Sequence, residues 1–209
     1  MKAIKLVGIA ALAAVSGLAQ AAEEGNWMVR ARAIYMHPDN DNSGGLKLPM
    51  DVEADNKIFP ELDVTYFFTP NIATELILTY PQKHDVTLGG TEIGTVSHLP
   101  PTLMLQYHFL PTGTIRPYAG LGLNYTRFSS PHLDAGRALG GNIPLRVDHS
   151  SFGWAAQVGA DVQIAPKWFF NVDLKYVAID ADIYIKGGPK VTSLDVNPWL
   201  FAVGIGYRF

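Results

Sequence analysis

Residues 27–35, Trp-Met-Val-Arg-Ala-Arg-Ala-Ile-Tyr, decide the fold class of this chain. Apolar side chains occupy every second position from Trp27 to Tyr35, and Arg30 and Arg32 stand between them. A period of two residues is typical of a β-strand whose two faces meet different surroundings, because successive side chains point to opposite faces. We therefore predict a strand here, with one apolar face and one polar face.

The same alternation recurs along the chain and predicts eight strands of roughly ten residues. That is the length a tilted strand needs to cross a bilayer. The predicted strands are 27–35, 61–68, 72–80, 99–108, 118–125, 152–162, 168–176 and 199–209.

The connections between these strands alternate strictly between long and short. The short ones are 69–71, 111–113 and 165–167, and each contains a proline. The long ones are polar or glycine-rich and cover about 38–52, 81–97, 129–149 and 186–195. In an up-and-down barrel this order places every short turn and both termini at one end. Short periplasmic turns and long extracellular loops are typical of outer-membrane barrels.

Composition and the first residues agree with an exported membrane protein. The chain has 209 residues, 48% hydrophobic and 17% charged, with a formal net charge of -3 and no cysteine. These values exclude disulfide scaffolds, cysteine nucleophiles and thiolate metal sites, and they give no basic surplus for nucleic acid. Lys2 and Lys5 precede an apolar run that ends in Ala19-Gln20-Ala21, so we predict a signal peptide at 1–21 and a barrel at 22–209.

Aromatic residues mark both ends of the apolar strand faces, as at the two interfaces of a bilayer. A soluble barrel of the lipocalin kind is the alternative, with its charged face turned to water. One predicted girdle, near the short turns, comprises Trp27, Tyr66, Phe68, Tyr107, Trp168, Phe170, Tyr207 and Phe209. The other, near the long loops, comprises Tyr35, Tyr80, Tyr125, Tyr176 and Trp199. We therefore predict an all-β, eight-stranded antiparallel up-and-down transmembrane β-barrel.

The polar strand faces would then line a narrow lumen. They carry small residues and charges of both signs, and buried charges are tolerated only when they are paired. Eight strands leave an interior just wide enough for side chains, so we expect no open water-filled pore. The predicted lumen network is Arg30, Arg32, Glu61, Asp63, Glu75, Asp161, Asp173, Lys175 and Arg208.

The ordered set of motifs over the predicted barrel resembles the outer-membrane protein W family, which includes alkane-uptake members. The matching segments are 25–27, 69–76, 83–85, 101–109, 116–122 and 197–209. The resemblance implies a barrel with an apolar channel open to the outside, and passage of small hydrophobic molecules with lateral release into the membrane. It also implies that Tyr207 and Phe209 belong to a terminal signal read by the barrel-assembly machinery. We also expect the barrel to contact outer-membrane lipid and lipopolysaccharide. Both termini are expected to lie in the periplasm.

An apolar solute would need an apolar entrance above the barrel and an exit in its wall. We predict a hydrophobic entrance from apolar loop residues, which could alternatively just pack the loops together. Its members are Leu46, Leu48, Met50, Val52, Leu88, Ile93, Leu139, Ile143 and Leu145. Pro81, Pro100 and Pro101 lack amide donors for the ladder, so they predict either a lateral gate or ordinary strand ends.

An enzyme is disfavoured because no catalytic set assembles. His149 and Ser151 share a strand face, but Asp161 lies ten residues further, roughly 33 Å along a strand. A triad needs hydrogen-bond reach. We predict no catalytic residues, no cofactor and no metal. The alternative to a channel is a structural or surface-recognition barrel whose loops contact phage, toxin or host.

Overall fold

The computed structural model describes residues 25–43 and 51–209. The predicted signal peptide, together with Leu46, Leu48 and Met50, lies outside the described residues. The elements are β1 (Trp27–His37), β2 (Asp41–Ser43), β3 (Val52–Ala54), β4 (Lys57–Phe67), β5 (Ile72–Thr79), β6 (Gln82–Leu88), β7 (Thr91–Leu99), β8 (Thr102–His108), β9 (Ile115–Asp134), α1 (Gly136–Leu139), β10 (Pro144–Val147), β11 (Ser150–Ala165), β12 (Trp168–Val177), β13 (Asp180–Ile185), β14 (Lys190–Asp195) and β15 (Trp199–Arg208). Within these ranges no helix is long and apolar enough to span a membrane.

Eight of the described strands close into an antiparallel barrel. Their order around the wall is β1-β4-β5-β8-β9-β11-β12-β15. β15 returns to β1 through a continuous register from Met28↔Arg208 to His37↔Trp199. Closure leaves no open edge, as a strand structure in lipid requires. The predicted eight-stranded up-and-down barrel is confirmed.

The described parts of the long connections contain short strands, where the sequence suggested loops. β6 and β7 form a hairpin that turns at Gly89 and Gly90, both with positive φ. β13 and β14 form a second hairpin, and β10 pairs with both β9 and β13. These strands could not be predicted from the sequence, because each is short and flanked by glycine-rich turns that resemble loop segments.

The predicted fourth strand is also divided. β7 ends at Leu99, β8 begins at Thr102, and Pro100 and Pro101 separate them. Both pieces pair with β9, so they follow one edge with a break between them. The break arises because a proline cannot donate to the ladder.

The outer face of the barrel is an apolar band between two aromatic girdles. At the short-turn end, the rings of Trp27 and Tyr66 lie 4.8 Å apart, centroid to centroid. At the long-loop end, Tyr176 lies 5.3 Å from Trp154 and 5.2 Å from Trp199. Between the girdles the exposed side chains are aliphatic, including Leu62, Leu76, Leu103, Leu105, Leu121, Leu123, Val158 and Val203. This is the inverse of a soluble barrel, whose outer face is polar.

The inner face changes character along each strand. In β1 the inward positions run from Met28 through Arg30 and Arg32 to Ile34 and Met36, and all five are buried. The lumen therefore has an apolar layer at the short-turn end, a charged layer in the middle and a second apolar layer towards the long connections.

Candidate functional site

A buried network of ion pairs fills the middle of the lumen, and we call it the charged plug. Strands β1, β4, β5, β11 and β12 each contribute to it. Its members are Arg30, Arg32, Glu61, Asp63, Glu75, Asp161, Asp173 and Lys175, and each is at most 6% exposed. The predicted lumen residues of these five strands are thus brought together.

Arg30 contacts three carboxylates of the charged plug. Its Nε and Nη2 donate to the two carboxylate oxygens of Asp161 at 3.0 and 2.7 Å. Its Nη1 lies 3.1 Å from Asp63 Oδ1 and 3.2 Å from Glu75 Oε1, and donates to Thr65 Oγ1 at 2.6 Å. A two-pronged arginine–carboxylate pair is among the stronger polar contacts in proteins. Arg30 thereby ties three strands of the wall to one centre.

Arg32 and Lys175 complete the cationic side of the charged plug. Arg32 Nε lies 2.7 Å from Glu61 Oε1, and its Nη2 lies 2.8 Å from Asp63 Oδ2. Lys175 Nζ lies 2.9 Å from both Glu61 Oε1 and Asp173 Oδ1. Three cations thus face five carboxylates.

Neutral donors stabilise the carboxylates that exceed the cations in number. Gln106 and Gln157 donate to Glu75 Oε2 at 2.8 and 3.0 Å. The hydroxyl of Tyr118 donates to Asp173 Oδ2 at 2.8 Å. The sequence prediction missed these three residues. Gln157 shares the inward face of β11 with the predicted Asp161, whereas Gln106 and Tyr118 lie on β8 and β9, which have no predicted member. Removing one member of such a network leaves a buried charge unpaired.

Arg208, the last predicted network residue, lies in the layer nearest the short turns. Its Nε donates to the carbonyl of Gly25 at 2.9 Å, and its guanidinium carbon lies 4.0 Å from the ring centroid of Phe67. Met28, Phe67, Ala73 and Phe169 form the apolar cluster of this layer. Arg208 therefore contributes where the lumen ends.

Above the barrel, the β6–β7 and β13–β14 hairpins enclose what we call the upper cavity. Its volume is about 60 Å³. Its lining is apolar except for two histidines, and comprises Met36, Ala54, His84, Val86, Val96, His98, Phe128, Leu133, Val147, Ile179, Ala181, Ile183, Leu194, Val196 and Pro198. An apolar cavity with a few polar groups is typical of small-molecule sites.

The two histidines of the upper cavity stack on each other. Their ring centroids lie 4.7 Å apart, and His84 Nδ1 lies 3.0 Å from Asp55 Oδ1. Burial lowers the pKa of His84, and the nearby Asp55 carboxylate only partly opposes this. Burial, His84 and Lys57 together lower the pKa of His98 to about 3. Both rings are therefore neutral at neutral pH.

Beneath it lies a smaller cavity of about 30 Å³, the lower cavity, whose lining reaches the charged plug. The two cavities share Met36, His98, Ile179 and Pro198 as lining residues. Glu61 and Lys175 also line the lower cavity. The two cavities are therefore neighbours, stacked between the hairpins and the charged layer.

The wall beside the lower cavity contains the shortest ladder of the barrel, which we call the seam. β5 and β8 pair from Ile72↔Tyr107 only as far as Ile77↔Thr102, although β5 continues to Thr79. Ile77, Thr79, Pro100 and Thr102 all line the lower cavity.

Side chains satisfy the carbonyl groups that the broken ladder leaves at the seam. Asn124 Nδ2 donates to the carbonyls of Pro100 and Pro101, each at 3.4 Å. Gln82 Nε2 donates to the carbonyl of Tyr80 at 3.0 Å. Because backbone groups at membrane depth need partners, these contacts let the ladder stop early without exposing free carbonyls to lipid.

The described entrance residues lie behind the cavities rather than on their surfaces. Val52, Leu88, Ile93 and Leu145 are buried in the apolar cluster that joins the hairpins. Ile143 packs against that cluster, and Leu139 is exposed on α1. The residues that line the cavities were not predicted from the sequence, because the strands that carry them are far apart in the chain. Pro81 stands between β5 and β6, next to the seam.

Comparisons with known proteins agree with this architecture. The sequence model of the OmpW family matches residues 23–209. Outer membrane protein W of Vibrio cholerae is 34% identical over 214 residues, covering 98% of each chain. The crystal structure of the outer membrane protein OprG from Pseudomonas aeruginosa has a TM-score of 0.80 and 28% identity, over 88% of this chain and 96% of that chain. The NMR structure of outer membrane protein W from Escherichia coli has a TM-score of 0.63 and 34% identity, over 88% of this chain and 98% of that chain. The chain therefore belongs to the OmpW family of outer-membrane β-barrel proteins.

Proposed function

We propose that the protein is a passive channel that carries small hydrophobic molecules across the bacterial outer membrane. The observation that carries this proposal is the pair of adjacent apolar cavities above a filled, charged lumen. The long connections would face the outside and both termini the periplasm, which is the usual asymmetry of such barrels. Lipid and lipopolysaccharide surround the barrel in this location.

The charged plug favours release through the wall rather than along the barrel axis. A solute that moved straight down would have to displace buried ion pairs while offering them no hydrogen bonds, and uncompensated buried charge is costly. The seam lies beside the lower cavity and has few ladder bonds to open. We therefore propose that Pro81, Pro100 and Pro101 mark a lateral gate into the membrane.

In this proposal the residues of the predicted hydrophobic entrance support the walls of the upper cavity. Val52, Leu88 and Ile93 hold the hairpins together, while Leu46, Leu48 and Met50 belong to the segment that precedes β3. Asp substitutions at Leu48 and Met50 are expected to reduce uptake of an apolar probe. Normal uptake by a correctly folded double variant would remove these two residues from the entrance.

The described site supports transport without chemistry. Ser151 Oγ donates to Asp180 Oδ1 at 3.0 Å, and His149 is exposed, so the predicted absence of catalysis is retained as part of the proposal. Tyr207 and Phe209, in the final strand and next to it, are proposed as the signal for the barrel-assembly machinery.

The test is the rate at which a fluorescent apolar probe enters cells with and without this protein. Barrel levels are matched, and an unrelated small barrel is the control for membrane disturbance. We expect faster entry with this chain, and Ala181→Phe, which fills the upper cavity, should abolish the gain. Leu139→Phe adds the same ring on the exposed side of α1 and should leave entry fast. Equal rates with and without the protein would favour the structural or surface-recognition role.

A further inference from the structure

His98 is a polar group placed among apolar side chains at the junction of the two cavities. It lines both cavities, and its neighbours there include Met36, Ile179 and Pro198. One face of its ring stacks against His84 at 4.7 Å. A solute passing from the upper to the lower cavity would therefore meet this imidazole.

Neither ring nitrogen of His98 has a hydrogen-bond partner among residues 25–43 and 51–209. His84 differs, because its Nδ1 is held by Asp55 at 3.0 Å while its buried Nε2 has no partner in the described part of the chain. Buried polar groups in proteins are nearly always paired, and His84 Nε2 departs from that rule. His98 is only half-buried and lines both cavities, so its ring nitrogens are open to a molecule there. The stacked histidines thus offer hydrogen-bonding capacity that the described protein does not use.

The protonation state of His98 defines what that partner can be. Its pKa is lowered to about 3, so the ring is neutral, with one nitrogen as donor and the other as acceptor. A hydroxyl group both donates and accepts, so it can pair with either nitrogen. A carboxylate or an ammonium would have to leave water for an apolar cavity, which is unfavourable.

We propose that the cavities bind small neutral molecules with an apolar body and one hydroxyl group, such as phenols and alcohols, and that the imidazole of His98 is their hydrogen-bond partner. His84 is a positioning residue, because Asp55 fixes its ring and its ring supports that of His98. This inference deepens the proposed function by naming a substrate class. Binding to the purified barrel tests the inference, and probe entry into cells tests the proposed transport. Either result can be negative while the other is positive.

The experiment compares two probes of nearly equal shape, 4-fluorophenol and 4-fluorotoluene. Binding to the barrel in phospholipid nanodiscs is followed by fluorine NMR, and nanodiscs with an unrelated small barrel correct for partition into lipid. Because one hydrogen bond has a modest net effect, we expect about fivefold tighter binding of the phenol. Equal affinity for the two probes, or binding of neither, would overturn the proposal.

Three variants identify the hydrogen-bond partner. His98→Phe keeps a ring for stacking but removes both nitrogens, and it should abolish the preference for the phenol. His98→Gln keeps a donor and an acceptor, and it should retain the preference even if the phenylalanine variant fails to fold. The control is His132→Phe, the same change on an exposed β9 residue opposite Thr95. An unchanged preference in folded His98→Phe, or its loss in folded His98→Gln, would contradict the assignment to His98.

Discussion

Arg30→Met tests whether the charged plug holds the barrel together. Methionine has a similar length and no charge, so it leaves the wall intact while removing the centre of the network. Asp161 would lose both of its contacts with the guanidinium, at 3.0 and 2.7 Å, and would keep a 2.8 Å hydrogen bond from Asn171. Asp63 and Glu75 would each lose one contact.

The expected effect follows from the charge left behind. The network would fall from three cations against five carboxylates to two against five, all in a layer that is almost fully buried. Removing one partner of a buried ion pair destabilises a protein by about 3–5 kcal/mol. Combining Arg30→Met with Asp161→Asn also removes the carboxylate that Arg30→Met leaves without a cation. The double variant should therefore lose about 1–3 kcal/mol less stability than the sum of the two single variants.

The assay is equilibrium unfolding in urea of the barrel reconstituted in phospholipid bilayers, followed by tryptophan fluorescence. The matched control is Arg127→Met, because Arg127 lies on β9 with an exposed side chain. Exposed substitutions usually change stability by less than about 0.5 kcal/mol. A loss below about 1 kcal/mol for Arg30→Met, or an equal loss for Arg127→Met, would refute the argument that the plug stabilises the barrel.

Three further predictions address the seam, the wall and the histidines. Pro100→Val together with Pro101→Val restores two amide donors and should slow probe entry into cells severalfold; an unchanged rate in folded protein would count against a gate there. Gly122→Val should lower the free energy of unfolding by about 3 kcal/mol, because a Cβ at Gly122 would collide with the carbonyl oxygen of Leu103, and wild-type urea stability would disprove this. The pKa of His98 lies below its ordinary value, so its neutral form stabilises the β6–β7 hairpin fully above about pH 6.5, and this contribution falls as the pH drops towards 3. Hydrogen exchange in the hairpin, corrected for intrinsic rates, should therefore accelerate at pH 4 in the wild type and accelerate less in His98→Phe, where only His84 of the stacked pair is left to protonate.

The barrel and its plug could be predicted because each strand carries its own signal. Arg30 and Arg32 alternate with apolar residues on β1, and Asp63 does so on β4, so the local sequence alone places them in the lumen. Closure then brings these charges together, because residues at equal height on neighbouring strands face the same space. The apolar upper layer had a signal too, since Ile34 and Met36 continue the inward positions of the arginines.

The cavities could not be predicted in the same way, because they depend on pairs that are distant in the chain. Val86 on β6 and Ile183 on β13 face one space only after the two hairpins have folded over the barrel. Each hairpin is too short to show a clear period, and glycine turns such as Gly89–Gly90 made its segment resemble a loop. The same distance hid the stacking of His84 on His98.

The order of the layers supports lateral release more strongly than any one residue does. A solute in the lower cavity has Glu61 and Lys175 on one side, held 2.9 Å apart in a buried pair. On the other side it has the seam, where the ladder has already ended at Ile77↔Thr102 and Asn124 bonds the carbonyl of Pro100. Crossing the plug requires buried charges to separate, whereas widening the seam separates strand ends whose outer surface meets lipid and where the carbonyls of Tyr80, Pro100 and Pro101 already accept hydrogen bonds. If the proposed lateral route is right, stiffening the plug should leave transport of an uncharged molecule unchanged, while stiffening the seam should stop it.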